Sequence, residues 1–179
     1  MAAMLLPSLL FLSCQKESAD LSDQISTGDG ILSQLKEGRA RQANFQLLSF
    51  AIARAGLTNE LNDPNFAYTL FAPTDDAFRA AGFKTIQDVV KAPKEVLTPI
   101  LLYHVIGAKV LAAQVPAGPN AAVKTLNGAD AFVTSNSNGV FINGTPVIVA
   151  DVKAANGVIH VIDNILMPPA GNIVATALA

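Results

Sequence analysis

Four Asn-Gly pairs, at Asn127-Gly128, Asn138-Gly139, Asn143-Gly144 and Asn156-Gly157, punctuate the C-terminal half of the chain. Asn and Gly accept the positive φ values that tight hairpin turns demand, so this spacing divides the region into short antiparallel strands. The intervening runs are β-rich: residues 109–114, 123–127, 131–135, 139–144, 146–152 and 157–163. The last run is apolar at every second position on both faces. Val158, His160 and Ile162 share one face, and Ile159 and Val161 share the other. Such a strand belongs in the middle of a sheet, which predicts a buried, hydrogen-bonded His160.

The N-terminal half reads differently. Ile31–Lys36 predicts a short helix. A firmer helix starts at Asn44 as N-cap and buries Phe45, Leu48, Ile52 and Ala55, with Gly56 placed to end it in the left-handed conformation. Residues 66–72 predict a buried strand ended by Pro73. Thr74 then caps a helix whose first turn holds Asp75 and Asp76, where the helix dipole favours negative charge. Residues 93–106 place Leu97, Leu101 and Val105 on one helical stripe. Pro99 predicts a kink there, or a restart with Thr98 as cap. Helices first and strands later, without βα alternation, argue an α+β domain. At 179 residues, 51% hydrophobic and 15% charged, the chain is long enough for one sizeable core and is not a disordered, collagenous or coiled-coil sequence.

Residues 1–13 are uncharged and mostly apolar. The run is too short for a membrane-spanning helix, which needs about 20 residues, and it has the form of a secretory signal peptide. It ends at Leu12-Ser13-Cys14, followed by the polar Gln15-Lys16-Glu17-Ser18. This arrangement resembles a bacterial lipobox, in which the cysteine thiol is acylated and becomes the new N-terminus. The other reading of Cys14 is a small buried hydrophobe in an N-terminal helix. The polar switch after it favours the lipid anchor. The expected organisation is a signal peptide over 1–13, a lipidated Cys14 with a flexible tether over 14–29, a domain over 30–169, and a tail over 170–179 that starts a further helix or repeat.

Three segments then carry a family resemblance. Thr69-Leu70-Phe71-Ala72-Pro73-Thr74-Asp75-Asp76-Ala77-Phe78 is followed by Leu101-Leu102-Tyr103-His104-Val105, and near the end by Asn156-Gly157-Val158-Ile159-His160-Val161-Ile162-Asp163. In order and spacing these resemble the two blocks and the central Tyr-His pair of a fasciclin domain, over about residues 40–169. The resemblance implies an α+β fold, a β-sandwich or wedge with helices packed on it, and an extracellular adhesion or binding module without enzyme activity. It assigns structural parts to Thr69, Phe71, Ala72, Pro73, Thr74, Asp75, Ala77, Phe78, His160 and Asp163. In animal members the Tyr-His region and an Asp-Ile pair are implicated in partner binding, which makes Tyr103, His104, Asp151 and Val152 candidate contact residues here. Their other reading is structural: His104 stands at a helix end, where an imidazole satisfies a terminal carbonyl.

Other chemistry has little support. His104 and His160 are the only histidines, and no His-x-His or Glu-x-x-His spacing exists, so no metal or other cofactor is expected. There is no Gly-x-Ser-x-Gly elbow and no Gly-rich phosphate loop. Asp75 and Asp76, adjacent on a helix, point about 100° apart and do not share a proton. Twelve basic against fourteen acidic residues, without a basic cluster, exclude a nucleic-acid footprint. The expectation is a lipid-anchored protein of the outer membrane or cell surface, holding an extracellular or periplasmic protein or polysaccharide. The alternative is a ligand- or glycan-capture accessory of an outer-membrane uptake system.

Overall fold

The computed structural model describes residues 30–36, 44–115 and 118–169. The leader, Cys14, the tether and the tail lie outside the described residues.

The described residues form six α-helices and seven strands. The helices are α1 (Ile31–Lys36), α2 (Gln46–Ala55), α3 (Thr58–Leu61), α4 (Asp75–Ala80), α5 (Ile86–Lys91) and α6 (Lys94–Tyr103). Strand β1 (Tyr68–Pro73) lies between α3 and α4. After α6 come β2 (Val105–Ile106), a 3-10 turn at Ala112–Gln114, and β3 (Gly118–Lys124). Next come β4 (Asp130–Asn136), β5 (Gly139–Ile142), β6 (Thr145–Ala154) and β7 (Gly157–Ile162). No helix among the described residues is long and apolar enough to cross a membrane.

The strands form one sheet in the order β2-β1-β7-β6-β5-β4-β3. Neighbours are antiparallel except β1 and β7, which run parallel from Tyr68↔Gly157 to Pro73↔Ile162. A bridge between Ile106 and Thr125 links the far ends, with Leu126 N–H donating to Val105 O at 2.8 Å. The sheet is therefore nearly closed into a barrel with helices on one side. The α+β class, with helices in the N-terminal half, is as the sequence indicates.

Each side of β1 and β7 has its own core, because both strands are buried at every residue. Leu70, Ala72, Ile159 and Val161 face the helices and pack with Leu48, Ile52, Phe78 and Leu101. Phe71 and Ile162 face inward and meet Ile106, Ala131, Val133 and Ile142 across the barrel. Each such large aliphatic side chain contributes about 1.5–3 kcal/mol on burial.

Several local expectations hold. Gly56 ends α2 with φ 81°, Thr74 Oγ accepts from Ala77 N–H at 3.2 Å, and α1 forms over the expected residues. Others are corrected. Asn44 does not cap α2: the carboxylate of Asp75 does, accepting Leu47 N–H at 2.9 Å, while Asn44 O accepts Asp75 N–H. Pro99 neither splits α6 nor makes Thr98 a cap, and the Thr98 hydroxyl has no partner. Val105 leaves the helical stripe and enters β2, because His104 closes α6. Residues 109–114 are not a strand. They cross the sheet as a strap, whereas β3 begins earlier than expected, at Gly118.

Candidate functional site

Three side chains on neighbouring strands, Thr69 of β1, His160 of β7 and Asp151 of β6, fasten the strap that follows β2. Alternation places Thr69, Phe71 and His160 on the inward face, and the β1–β7 register sets Phe71 beside His160, ring centroids 5.4 Å apart. Thr69 Oγ donates to Ala108 O at 2.7 Å and accepts from Val110 N–H at 2.8 Å. His160 Nε2 bonds the Val110 carbonyl at 3.0 Å, so it carries the proton. Its Nδ1 then accepts Asp151 N–H at 3.3 Å. Asp151 Oδ1 completes the clip by accepting Ala112 N–H at 2.8 Å.

Asp151 reaches the strap because β6 bulges between Val149 and Val152. The bulge turns Asp151 to φ 59°, a left-handed value uncommon for a residue with a side chain. Val152 returns to the ladder opposite Ile159, half-buried against the helix-side core. Burial lowers the His160 pKa below the ordinary imidazole value, opposed in part by the Val110 bond and the Asp151 charge.

Tyr103 and His104 lie at the other end of the inward space and are 3% and 1% exposed. Tyr103 OH donates to Asp130 O at 3.0 Å and accepts from Asn143 Nδ2 at 2.8 Å, while Asn143 Oδ1 accepts Phe132 N–H at 2.9 Å. His104 Nδ1 bonds Ile100 O in the last turn of α6 at 2.8 Å, and Nε2 accepts Leu166 N–H at 2.9 Å. Desolvation dominates over the Ile100 bond and pushes its pKa down to about 4. All four ring nitrogens of the two histidines are therefore engaged with backbone groups, which leaves no lone pair for a metal. Among the described residues no group of three or more His, Cys, Asp or Glu is placed to hold one.

Most of the remaining motif residues are also internal. Ala72, Ala77 and Phe78 are buried, and Phe78 meets Phe83 edge-on. Pro73 ends β1 opposite Ile162, and Asp163 is exposed just beyond β7. Asn156, read as a turn former, does more. Its buried amide accepts Ile31 N–H at 2.8 Å and donates to Leu61 O at 2.8 Å, tying α1 to α3. No local pattern signals bonds of that sequence separation.

Most of these side chains are buried or engaged in internal hydrogen bonds, and the surface offers two other features. The outer face of the hairpins carries a diagonal apolar track. It runs from Ala122, opposite Phe132, past Thr134 to the half-buried Phe141, opposite Pro146, and on to Ile148. Phe132 and Ile148 are 46% and 52% exposed. The charged pair at its margin, Lys124 and Asp130, is mutually neutralised at 2.9 Å. The second feature is a cleft of about 400 Å³ between α1 and α2, with Leu35, Phe45 and Phe50 among its apolar walls and Lys36, Gln46 and Ser49 among its polar ones.

Comparison with known proteins agrees with this architecture. The family model described as "Fasciclin domain" matches residues 43–168. Protein sll1483 of Synechocystis sp. is 39% identical over 134 residues, covering 74% of this chain and 72% of the relative. Cell surface glycolipoprotein MPB83 of Mycobacterium bovis is 30% identical over 160 residues, covering 85% and 70%. Transforming growth factor-beta-induced protein ig-h3 of Sus scrofa is 42% identical over 128 residues, but that match covers only 18% of the longer relative. The solved FAS1 domain pair of the insect cell adhesion molecule Fasciclin I superposes with a TM-score of 0.62 at 16% identity. It covers 82% of this chain and about half (53%) of that one, which shows a shared fold.

Proposed function

Since the chain belongs to the fasciclin-domain family, we propose that it is a non-enzymatic binding module displayed on a bacterial envelope. A lipidated Cys14 holds it at the outer membrane or cell surface, and the domain grips an extracellular or periplasmic protein or polysaccharide. The diagonal track from Phe132 to Ile148 carries the reading. It places two exposed large apolar side chains, Phe132 and Ile148, on one face of a domain whose family-motif side chains are largely turned inward, and exposed apolar surface that is not needed by the core commonly marks an interaction site. The presence of a cell adhesion molecule and a cell surface glycolipoprotein among the similar proteins supports the same direction.

The test uses the full chain on cells. Phe132→Ser with Ile148→Ser is expected to lower surface pull-down and cell–cell or cell–matrix attachment about ten-fold at unchanged melting temperature, as loss of interface anchors does. Unchanged attachment would remove the track from the reading. Cys14→Ser is expected to move the protein from the membrane to the soluble fraction, and a variant that stayed with membranes would end the anchor.

A second reading, capture of a small ligand, is favoured by the cleft between α1 and α2. Its size and its apolar walls with a few polar groups suit a small molecule. Saturable binding of a free monosaccharide or small carboxylate, weakened by Phe50→Ala and indifferent to the Phe132 and Ile148 substitutions, would favour capture over adhesion.

A further inference from the structure

We propose that the strap over residues 107–115 is a proton-released latch, closed while His160 is neutral and opened at its Ala112 end when that ring takes up a second proton. The two nitrogens of His160 have opposite duties. Nε2–H donates to Val110 O, so Nδ1 is left as the lone pair that accepts Asp151 N–H. A proton added from solvent at Nδ1 turns imidazole into imidazolium and removes that lone pair. Two N–H groups then point at each other in a half-buried site.

The nearest anion is the carboxylate of the same Asp151, whose Oδ1 holds Ala112 N–H. Drawn to the imidazolium, it leaves Ala112 without a partner. The Val110 end stays down, because Nε2–H keeps its proton and Thr69 still bonds Ala108 and Val110. Opening is therefore confined to the distal half of the strap, where Val115 helps to cover the inward core.

The bulge is the element that the latch releases. A non-glycine residue at φ 59° is strained, and such strain persists only while its surroundings over-determine it. The Nδ1 acceptor is one of those restraints. Of the charged groups around the ring, Asp151 on β6 favours the imidazolium. Lys109, on the strap beside Val110, is exposed to solvent. From β1 the ring meets Phe71, beside the uncharged Thr69 clip. The shift works in the same sense: burial keeps His160 neutral at neutral pH and defers proton uptake to acid.

Amide exchange of the full-length protein tests this between pH 7.5 and 4.5, after correction for intrinsic exchange. Protection of the Ala112 and Asp151 amides is expected to fall at least ten-fold further than that of core amides such as Ile159, which report only the global loss of stability, as His160 titrates. His160→Gln keeps a donor for Val110 and an acceptor for Asp151 but does not titrate, so its strap protection is expected to be flat with pH. Constant wild-type protection, or the same fall in His160→Gln, would overturn the latch. If the variant does not fold, the wild-type imidazole titration decides: Ala112 and Asp151 amide shifts must move with the His160 midpoint, and failure to do so is equally fatal.

Discussion

At the scale of the residue, His104 shows how a buried histidine is matched to its surroundings. A neutral ring with one donor and one acceptor nitrogen meets one carbonyl and one N–H in a site closed to water. The folded ring ionises at about 4, against about 6.5 in the unfolded chain. Above 6.5 both states are neutral and nothing is lost. Between 6.5 and 4 the unfolded chain binds a proton that the folded one refuses, so stability falls with pH, and below 4 the loss levels off. The expected size is about 3 kcal/mol. Urea midpoints across this range in wild type and His104→Gln will check it, the variant losing this part of the slope. His160 contributes in the same direction, and the His160→Gln background separates the two.

At the scale of the element, what the sequence reveals depends on how far away the determining partner lies. Gly56 and Thr74 could be assigned because a cap acts within its own turn. The start of α2 could not, because its cap, Asp75, stands 28 residues downstream on another helix. The same limit hid the strap. Residues 109–114 have strand composition, yet side chains from β1, β6 and β7 decide their path. Val105 fits a helical stripe as well as a strand, and only the His104 closure of α6 tells them apart. Asp75→Ala removes a first-turn carboxylate from α4 and the cap of α2 together. It is expected to cost about 1–2 kcal/mol, read as a lower urea midpoint with the slope of the transition unchanged.

For the whole molecule, the alternation in 157–163 marked β7 as central, but its parallel neighbour was not legible. Hydrophobic period reports which faces are buried and is silent on which strand lies alongside. The positions of the candidate contact residues follow from that pairing. It carries His160 to Phe71 and thereby brings the Asp151 bulge over the strap. Gly157 is where the two halves meet most tightly. A Cβ there would overlap the Tyr68 carbonyl oxygen and come within 2.9 Å of Ile31 Cδ1. Gly157→Ala must therefore push apart β1, β7 and α1 at once. A loss of about 3 kcal/mol or more is expected, among the larger effects of single substitutions, and thermal melting of the full chain will show it.

The parallel pairing of β1 with β7 also bears on how the protein is made. During synthesis β1 emerges nearly ninety residues before the strand that lies along its whole length. Its other neighbour, β2, offers only two residues of ladder. Contacts so distant along the chain are slow to form and cannot be hastened by local structure. A nascent chain that ends before Gly157 has helices to make but only the two-residue β2 on which β1 can settle, so most of the β1 ladder is expected to stay unpaired. Completion of β7, rather than of any helix, is therefore the step expected to close the native sheet, and protease resistance of chains cut before and after Ile162 will check it.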